Sequence, residues 1–395
     1  MTDAVMSTEF VGRRRRVFWL ALKAGVLTVL TLGLYRFWMK TRLRRWYWSA
    51  IRPGGLPLEY VGDPVEKLLG FLIAVVILAF YIGVVNLILM FISFSLFQGN
   101  VTGYLLSFIG VIPLWFYAQY RSRRYVLART RWCGLRFGLE PGAWGYAGRA
   151  LLYWLLTLIS AGLLWPLMTF RLEQYKTDRT TFGTARMIQG GRWTMLYRPM
   201  RPLLLGALLM GGAAVARLAG SAGLTVLLAV LGNGLTVYGL VHYTVQSTAL
   251  LTRTKQIAGI TLDIQPSTGA ILGIYALGYV LAGIVIAVPA AGLVAVMLSI
   301  QSAQTLSQIG MDGLAILTDL SRWAVLALSA ALYFSIFLMW SALTHAFVTM
   351  PVIRHYARTL RLGGTEGLAA IRQRPRDEVV QAEGFAEALD VGASI

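Results

Sequence analysis

Long apolar runs in this chain break at glycines, turn into segments rich in Arg, Trp and Tyr, and end in short alternating stretches bounded by further glycines. The first instance runs from Thr31 to Gly62. Apolar runs of this length predict helices, whereas an alternation such as Leu56, Leu58 and Tyr60 on one face of 55–62 predicts a β-strand. The order of apolar segment, basic elbow and strand recurs five times, with strands expected at 55–62, 134–139, 183–188, 259–264 and 359–363.

Six apolar segments, 67–97, 104–127, 201–218, 222–252, 269–299 and 323–350, read as membrane crossings. Two others, 17–44 and 149–170, are basic on both flanks. A straight crossing would export one basic flank, against the positive-inside rule, so both are expected as re-entrant or interfacial helical hairpins bent at Thr31-Leu32-Gly33 and at Ser160-Ala161-Gly162. Ser160-Ala161-Gly162-Leu163 and Arg171-Leu172 copy Thr31-Leu32-Gly33-Leu34 and Arg42-Leu43 at a constant offset of 129. The pattern therefore predicts an all-α polytopic membrane protein with six transmembrane helices, two re-entrant hairpins, an internal parallel repeat and short cytoplasmic β-strands after each hairpin. Its expected parts are an N-terminal segment 1–16, one repeat at 17–139, a second at 149–264, an extra transmembrane hairpin with its strand at 269–363, and a tail 364–395. The acidic run in that tail is expected to form a short soluble docking helix.

Composition agrees with a membrane protein: of 395 residues 57% are hydrophobic and 13% charged, and the mean hydropathy is +0.65. Lys and Arg number 36 against 17 Asp and Glu, a net charge of +19. This excess lies beside apolar segments, where it marks the cytoplasmic side and both termini and meets anionic phospholipids, rather than on a soluble domain where it would suggest nucleic acid. Arg13 to Arg16 superficially resemble a twin-arginine export signal, but no small-residue cleavage site follows, so the first apolar segment is expected to be kept. A single cysteine, Cys133, excludes an intramolecular disulfide.

Little in the chain points to catalysis. Its three histidines, His242, His345 and His355, belong to no metalloprotease or nucleophile motif, and interfacial packing is the expected role. No Asp or Glu falls within a predicted span, which argues against a proton-coupled transporter. The elbow residues Arg42, Arg44, Arg45, Trp46 and Trp48, then Arg121, Arg123 and Arg124, with Arg171 after the second bend, combine cations with interface-seeking aromatics. They read as aromatic-belt anchors or, more sharply, as a binding surface for lipid headgroups or a partner. Gly269 and Gly273, four apart, suggest close helix packing. The expectation is a non-enzymatic scaffold or adaptor without a cofactor, the alternative being a transporter for lipid or a small solute.

At the elbow, Leu30-Thr31-Leu32-Gly33-Leu34-Tyr35-x-x-Trp38 and then Leu58-Glu59-Tyr60-x-Gly62-Asp63-Pro64 resemble the YjgN family of bacterial inner-membrane proteins, over roughly residues 17–365. Leu58 and Tyr60 depart from that family's usual strand. The resemblance implies an integral inner-membrane protein without established catalytic residues, and a functional tie to a membrane metalloprotease.

Overall fold

Short strands follow directly on helices throughout the chain, and they decide its architecture. The computed structural model describes residues 5–97, 102–308 and 322–374. The described chain divides into two units, one built from Met1–Val11, Tyr47–Gly269 and His355–Ile395, the other from Gly12–Trp46 and Ala270–Arg354.

The first unit contains ten strands: β1 (Met6–Phe10), β2 (Ile51–Pro53), β3 (Leu58–Tyr60), β4 (Thr130–Trp132), β5 (Leu135–Leu139), β6 (Thr180–Phe182), β7 (Ala185–Gln189), β8 (Lys255–Ile257), β9 (Ile260–Ile264) and β10 (Leu360–Gly363). They form one antiparallel sheet in the order β2-β1-β10-β9-β8-β7-β6-β5-β4-β3. The two end strands are consecutive in the chain, joined through Gly54 to Pro57, so the sheet is a nearly closed barrel. Two of its hairpins turn on residue pairs that both have positive φ, Cys133 (51°) with Gly134 (76°) and Ala258 (48°) with Gly259 (80°). That geometry matches the twist of the flanking strands. Alternate side chains point inward. Trp132, Phe182, Ile257, Ile260 and Leu362 fill the interior together with Leu368 and Ile371, which follow β10.

This sheet overturns the all-α expectation. The five glycine-bounded runs coincide with β3, β5, β7, β9 and β10, but each of the first four pairs with or follows a further three-residue strand that continues straight from a helix. A three-residue strand is too short to show a period of two, which is why β2, β4, β6 and β8 leave no pattern. Inside the expected N-terminal segment 1–16, for which no strand is expected, Met6–Phe10 forms β1, which pairs with both β2 and β10.

The helices of this unit are α3 (Pro64–Phe80), α4 (Asn86–Phe97), α5 (Thr102–Ala128), α6 (Ala143–Ile159), α7 (Trp165–Thr177), α8 (Tyr197–Leu218) and α9 (Ala222–Arg253), the numbering beginning with α1 (Arg14–Leu30) and α2 (Arg36–Ala50). Helices α8 and α9 approach closely because glycines face the partner backbone. A Cβ on Gly239 would lie 2.6 Å from the Leu203 nitrogen, and one on Gly206 would lie 2.5 Å from Thr236 Oγ1. Leu208, Val215, Val226 and Val230 of the same hairpin are exposed, as lipid-facing residues are.

The second unit holds α1, most of α2, nearly all of α10 (Thr268–Gln308), and α11 (Arg322–Thr344) with a π-helical stretch His345–Thr349. The last helix, α12 (Met350–Thr359), begins in this unit. Val17, Ala21, Ala24 and Gly25 form the buried side of α1, and Gly25 leaves room for Leu338. On α10 the close approach is made by Gly278 against Phe347. It is not made by Gly269 or Gly273, whose missing Cβ atoms would touch almost nothing.

Among the described residues four helical stretches are long and apolar enough to cross a membrane: Trp193–Leu218, Ala222–Arg253, Thr268–Gln301 and Trp323–Thr359. The expectation of an all-α chain with six crossings does not hold as stated: these four are the stretches with the length and composition to cross. Segment 67–97 comprises α3, a π-helical stretch at Tyr81–Val85 and α4, and the last third of α5 carries Arg121, Arg123 and Arg124. Of the chain between the expected segments 67–97 and 104–127, residues 98–101 lie outside the described residues, as do 309–321 before α11 and the acidic tail beyond 374.

Candidate functional site

The end of α5 and the strands after it concentrate positive charge on the outside of the barrel. Arg124 and Ala128 share a helix face, Arg129 follows, and in β4 the alternation sends Trp132 into the barrel core and leaves Arg131 on the outer face. In the hairpin register Arg131 pairs directly with Arg136 of β5, so two guanidinium-bearing side chains leave the same face of the sheet side by side. On its other side Arg131 stands directly opposite Glu59 of β3, so the row across the sheet face runs Glu59, Arg131, Arg136. The Arg131 Nε is buried and meets no hydrogen-bond acceptor among the described residues.

These residues line a cleft of about 440 Å³ with Arg124, Arg129 and Arg374, against two carboxylates, Glu66 and Glu140. Among the described residues the lining carries five guanidinium groups and two carboxylates. Both carboxylates are engaged. Arg129 donates from Nε (2.9 Å) and Nη2 (2.5 Å) to Glu66 Oε2 and stacks on Tyr125 at 3.9 Å, and Arg186 pairs with Glu140. Arg124 also borders a neighbouring hollow of about 320 Å³ lined by Tyr117, Tyr120, Arg121 and Trp144. There Trp144, 63% exposed, packs on Tyr117 at 4.7 Å, and Arg121 donates to the Tyr117 hydroxyl at 2.9 Å. An arginine surface beside an exposed Trp suits a phosphate-bearing group at a membrane boundary.

The nine residues expected from the sequence do not converge on one site. Arg121 and Arg124 border the hollow, Arg123 turns to Glu173 at 3.6 Å, and Arg171 is exposed and reaches Gln174 at 3.1 Å. Arg42 lies over Tyr35 at 5.5 Å, Arg45 is exposed and Trp46 half-buried. Arg44 is only 1% exposed, enclosed by protein rather than presented to a headgroup. Trp48 donates its indole N–H to Thr130 Oγ1 at 3.0 Å. The residues that do build the cleft, Arg129, Arg131 and Arg136, read in the sequence only as a basic flank. The signal that could have separated them was the alternation of Arg131 with Trp132 and of Arg136 with Phe137.

The histidines stand apart from this cleft. His242 Nδ1 lies 3.1 Å from Thr268 Oγ1, and His355 Nε2 accepts the Ser267 backbone N–H at 2.9 Å. Among the described residues no group of three or more His, Cys, Asp or Glu is arranged to hold a metal ion.

No curated protein and no solved structure matches the chain. The model of a family described as bacterial protein of unknown function (DUF898) matches residues 6–253, more than half of the sequence, and the chain belongs to that family.

Proposed function

We propose that this chain is a non-enzymatic adaptor of the bacterial inner membrane, with both termini cytoplasmic, that holds an anionic phospholipid headgroup in the arginine cleft of its barrel. The observation that carries the reading is the arginine-lined cleft, in which the Arg131 Nε is buried and meets no acceptor among the described residues. Guanidinium groups bind phosphate through paired N–H donors, so an anionic headgroup supplies an acceptor to the buried Arg131 Nε. The α8–α9 hairpin leaves the barrel and returns to it within Tyr197–Arg253, which keeps the barrel on one side of the bilayer. The concentration of Arg there supports a cytoplasmic side for the barrel, by the positive-inside rule. The elbow's resemblance to the YjgN family accords with an inner-membrane location.

The test is the Arg131→Gln/Arg136→Gln double variant, purified in mild detergent and compared with wild type by native mass spectrometry. Each arginine contributes about 1 kcal/mol of attraction to an anionic lipid surface, so retention of phosphatidylglycerol or cardiolipin should fall about thirtyfold. Equal retention at equal yield would sink the reading.

A further inference from the structure

A second cavity, of about 500 Å³, is lined by residues of α6, α7, α9 and β8. Its position follows from helix length: at 32 residues α9 is about 48 Å long, whereas about 20 residues cross the hydrocarbon core. The cavity residues of α9, from Tyr243 to Thr252, belong to its last third, at the end that runs into the barrel strand β8.

One carboxylate faces three cations there. Glu173 receives Lys255 Nζ at 2.7 Å, Lys176 Nζ at 2.8 Å and Arg123 Nη2 at 3.6 Å. All four side chains are largely shielded, from 14% exposed for Lys255 to 33% for Arg123. No other Asp or Glu lines the cavity among the described residues, so the cluster carries a formal excess of two positive charges out of bulk water. Shielded charge is costly unless it is paired. Glu173, Lys176 and Lys255 open onto the cavity, and the hydroxyl-bearing Ser247, Thr248 and Thr252 stand across from them on α9. The volume is that of an ordinary small-ligand site.

We infer that this cavity binds a phosphate-type anion, held by Lys176 and Lys255 beside the Thr252 hydroxyl, while the Ser247 and Thr248 hydroxyls donate to the Thr244 carbonyl oxygen at 3.3 and 2.7 Å. Glu173 is a positioning residue: it holds both ammonium groups at the cavity wall. Two positive charges match a phosphate monoester, whose source is either a lipid headgroup or a soluble phosphate compound. This site shares no lining residue with the arginine cleft and does not depend on the adaptor reading.

The experiment uses the full chain in phosphatidylcholine nanodiscs. One arm titrates inorganic phosphate by calorimetry, and the other adds a minor share of phosphatidic acid and follows its retention by native mass spectrometry. Binding in the first arm assigns a soluble anion, and binding in the second alone assigns a headgroup. In whichever arm binds, Lys255→Gln should weaken binding about tenfold, the loss of one charge-assisted hydrogen bond. Thr248→Phe, which fills the cavity from an exposed helix position without touching the ion cluster, should abolish it. Glu173→Gln should weaken binding, because both ammonium groups lose the carboxylate that holds them at the cavity wall, and Glu173→Asp, which keeps the charge, should restore it. Arg131→Gln/Arg136→Gln should change nothing here. The inference is overturned if neither probe binds, or if binding survives Thr248→Phe unchanged, a readout that stands even where Lys255→Gln fails to fold.

Discussion

Leu32 and Ala161, 129 positions apart in the chain, hold the same left-handed backbone conformation, with φ of 51° and 50°. The glycines after them match as well, at 94° for Gly33 and 89° for Gly162. So do the hydrogen bonds: Gly33 N–H reaches the Thr28 carbonyl at 2.7 Å and Gly162 N–H reaches that of Thr157 at 2.8 Å. In each bend the hydroxyl of the residue before the left-handed one, Thr31 or Ser160, accepts a backbone N–H four residues on, at 2.9 and 3.0 Å. A Cβ in the left-handed region costs roughly 1 kcal/mol. Leu32 is 96% exposed and loses no packing when replaced, so Leu32→Gly should leave stability unchanged or raise it by up to about 1 kcal/mol. Gly33→Ala and Gly162→Ala should each lower it by about 1 kcal/mol. Melting curves in detergent that place Gly33→Ala above wild type would contradict this account.

Gly183 is the point where the segment after β10 locks into the barrel. Its φ is 53°, and a Cβ there would collide with the Arg372 carbonyl oxygen. The next residue, Thr184, donates its N–H to that same oxygen at 2.9 Å, and its hydroxyl accepts the Arg372 N–H at 3.2 Å. Gly183→Ala should therefore displace residues 365–374 and expose Ile371, now 7% accessible. Limited trypsin digestion followed by intact-mass analysis should show faster cutting after Arg372 in the variant. Identical cutting rates would mean that the segment is held elsewhere.

Acid should weaken the α7–α9 region through Glu173. Burial alone would raise its pKa, but Lys176, Lys255 and Arg123 together outweigh burial and hold the carboxyl well below the ordinary value of 4.5. A carboxyl depressed in the folded state contributes stability that is present above its unfolded pKa and lost as pH falls below about 4.5 towards the folded value. Wild-type melting temperature should drop through this window, and Glu173→Gln, less stable at neutral pH, should show a shallower drop. Parallel pH profiles for the two proteins would remove Glu173 as the cause.

Arg129 and Glu66 should prove strongly coupled. Arg129 is 5% exposed, is stacked on Tyr125 and sends two donors to one Glu66 oxygen. Leaving the guanidinium without its carboxylate should cost about 2–3 kcal/mol, discounted from the buried-pair range because the Glu66 side chain is 30% exposed. In a double-mutant cycle, Glu66→Gln with Arg129→Met should cost clearly less than the two single changes summed. Arg129→Lys should not rescue, because an ammonium offers neither the fork nor the flat face for Tyr125. Additive single effects would show that the pair is incidental.

The apolar runs from Tyr197 to Arg253 and from Thr268 onward by themselves specify membrane-length helices, since the solvent that a 20-residue apolar run needs is written in its composition. The bends at Leu32-Gly33 and Ala161-Gly162 are equally local, because glycine placement and an adjacent hydroxyl determine such turns. Glycine boundaries likewise marked β5 and β9. The barrel is another matter. Strands β4 and β8 are three residues long, carry no period, and exist only because Trp132 and Ile257 find a shared interior with Leu362 and Ile371 from far along the chain. The same holds for charge. Sequence shows that Arg131, Arg136, Lys176 and Lys255 are basic and near membrane helices, and a topology rule accounts for all of them equally. Strand register sets Arg131 beside Arg136, and helix packing brings Arg123, Lys176 and Lys255 around the single carboxylate of Glu173. Glu173 meets Arg123 and Lys255 from 50 and 82 positions away, a pairing that burial and hydrogen-bond geometry in three dimensions fix and that no local pattern encodes.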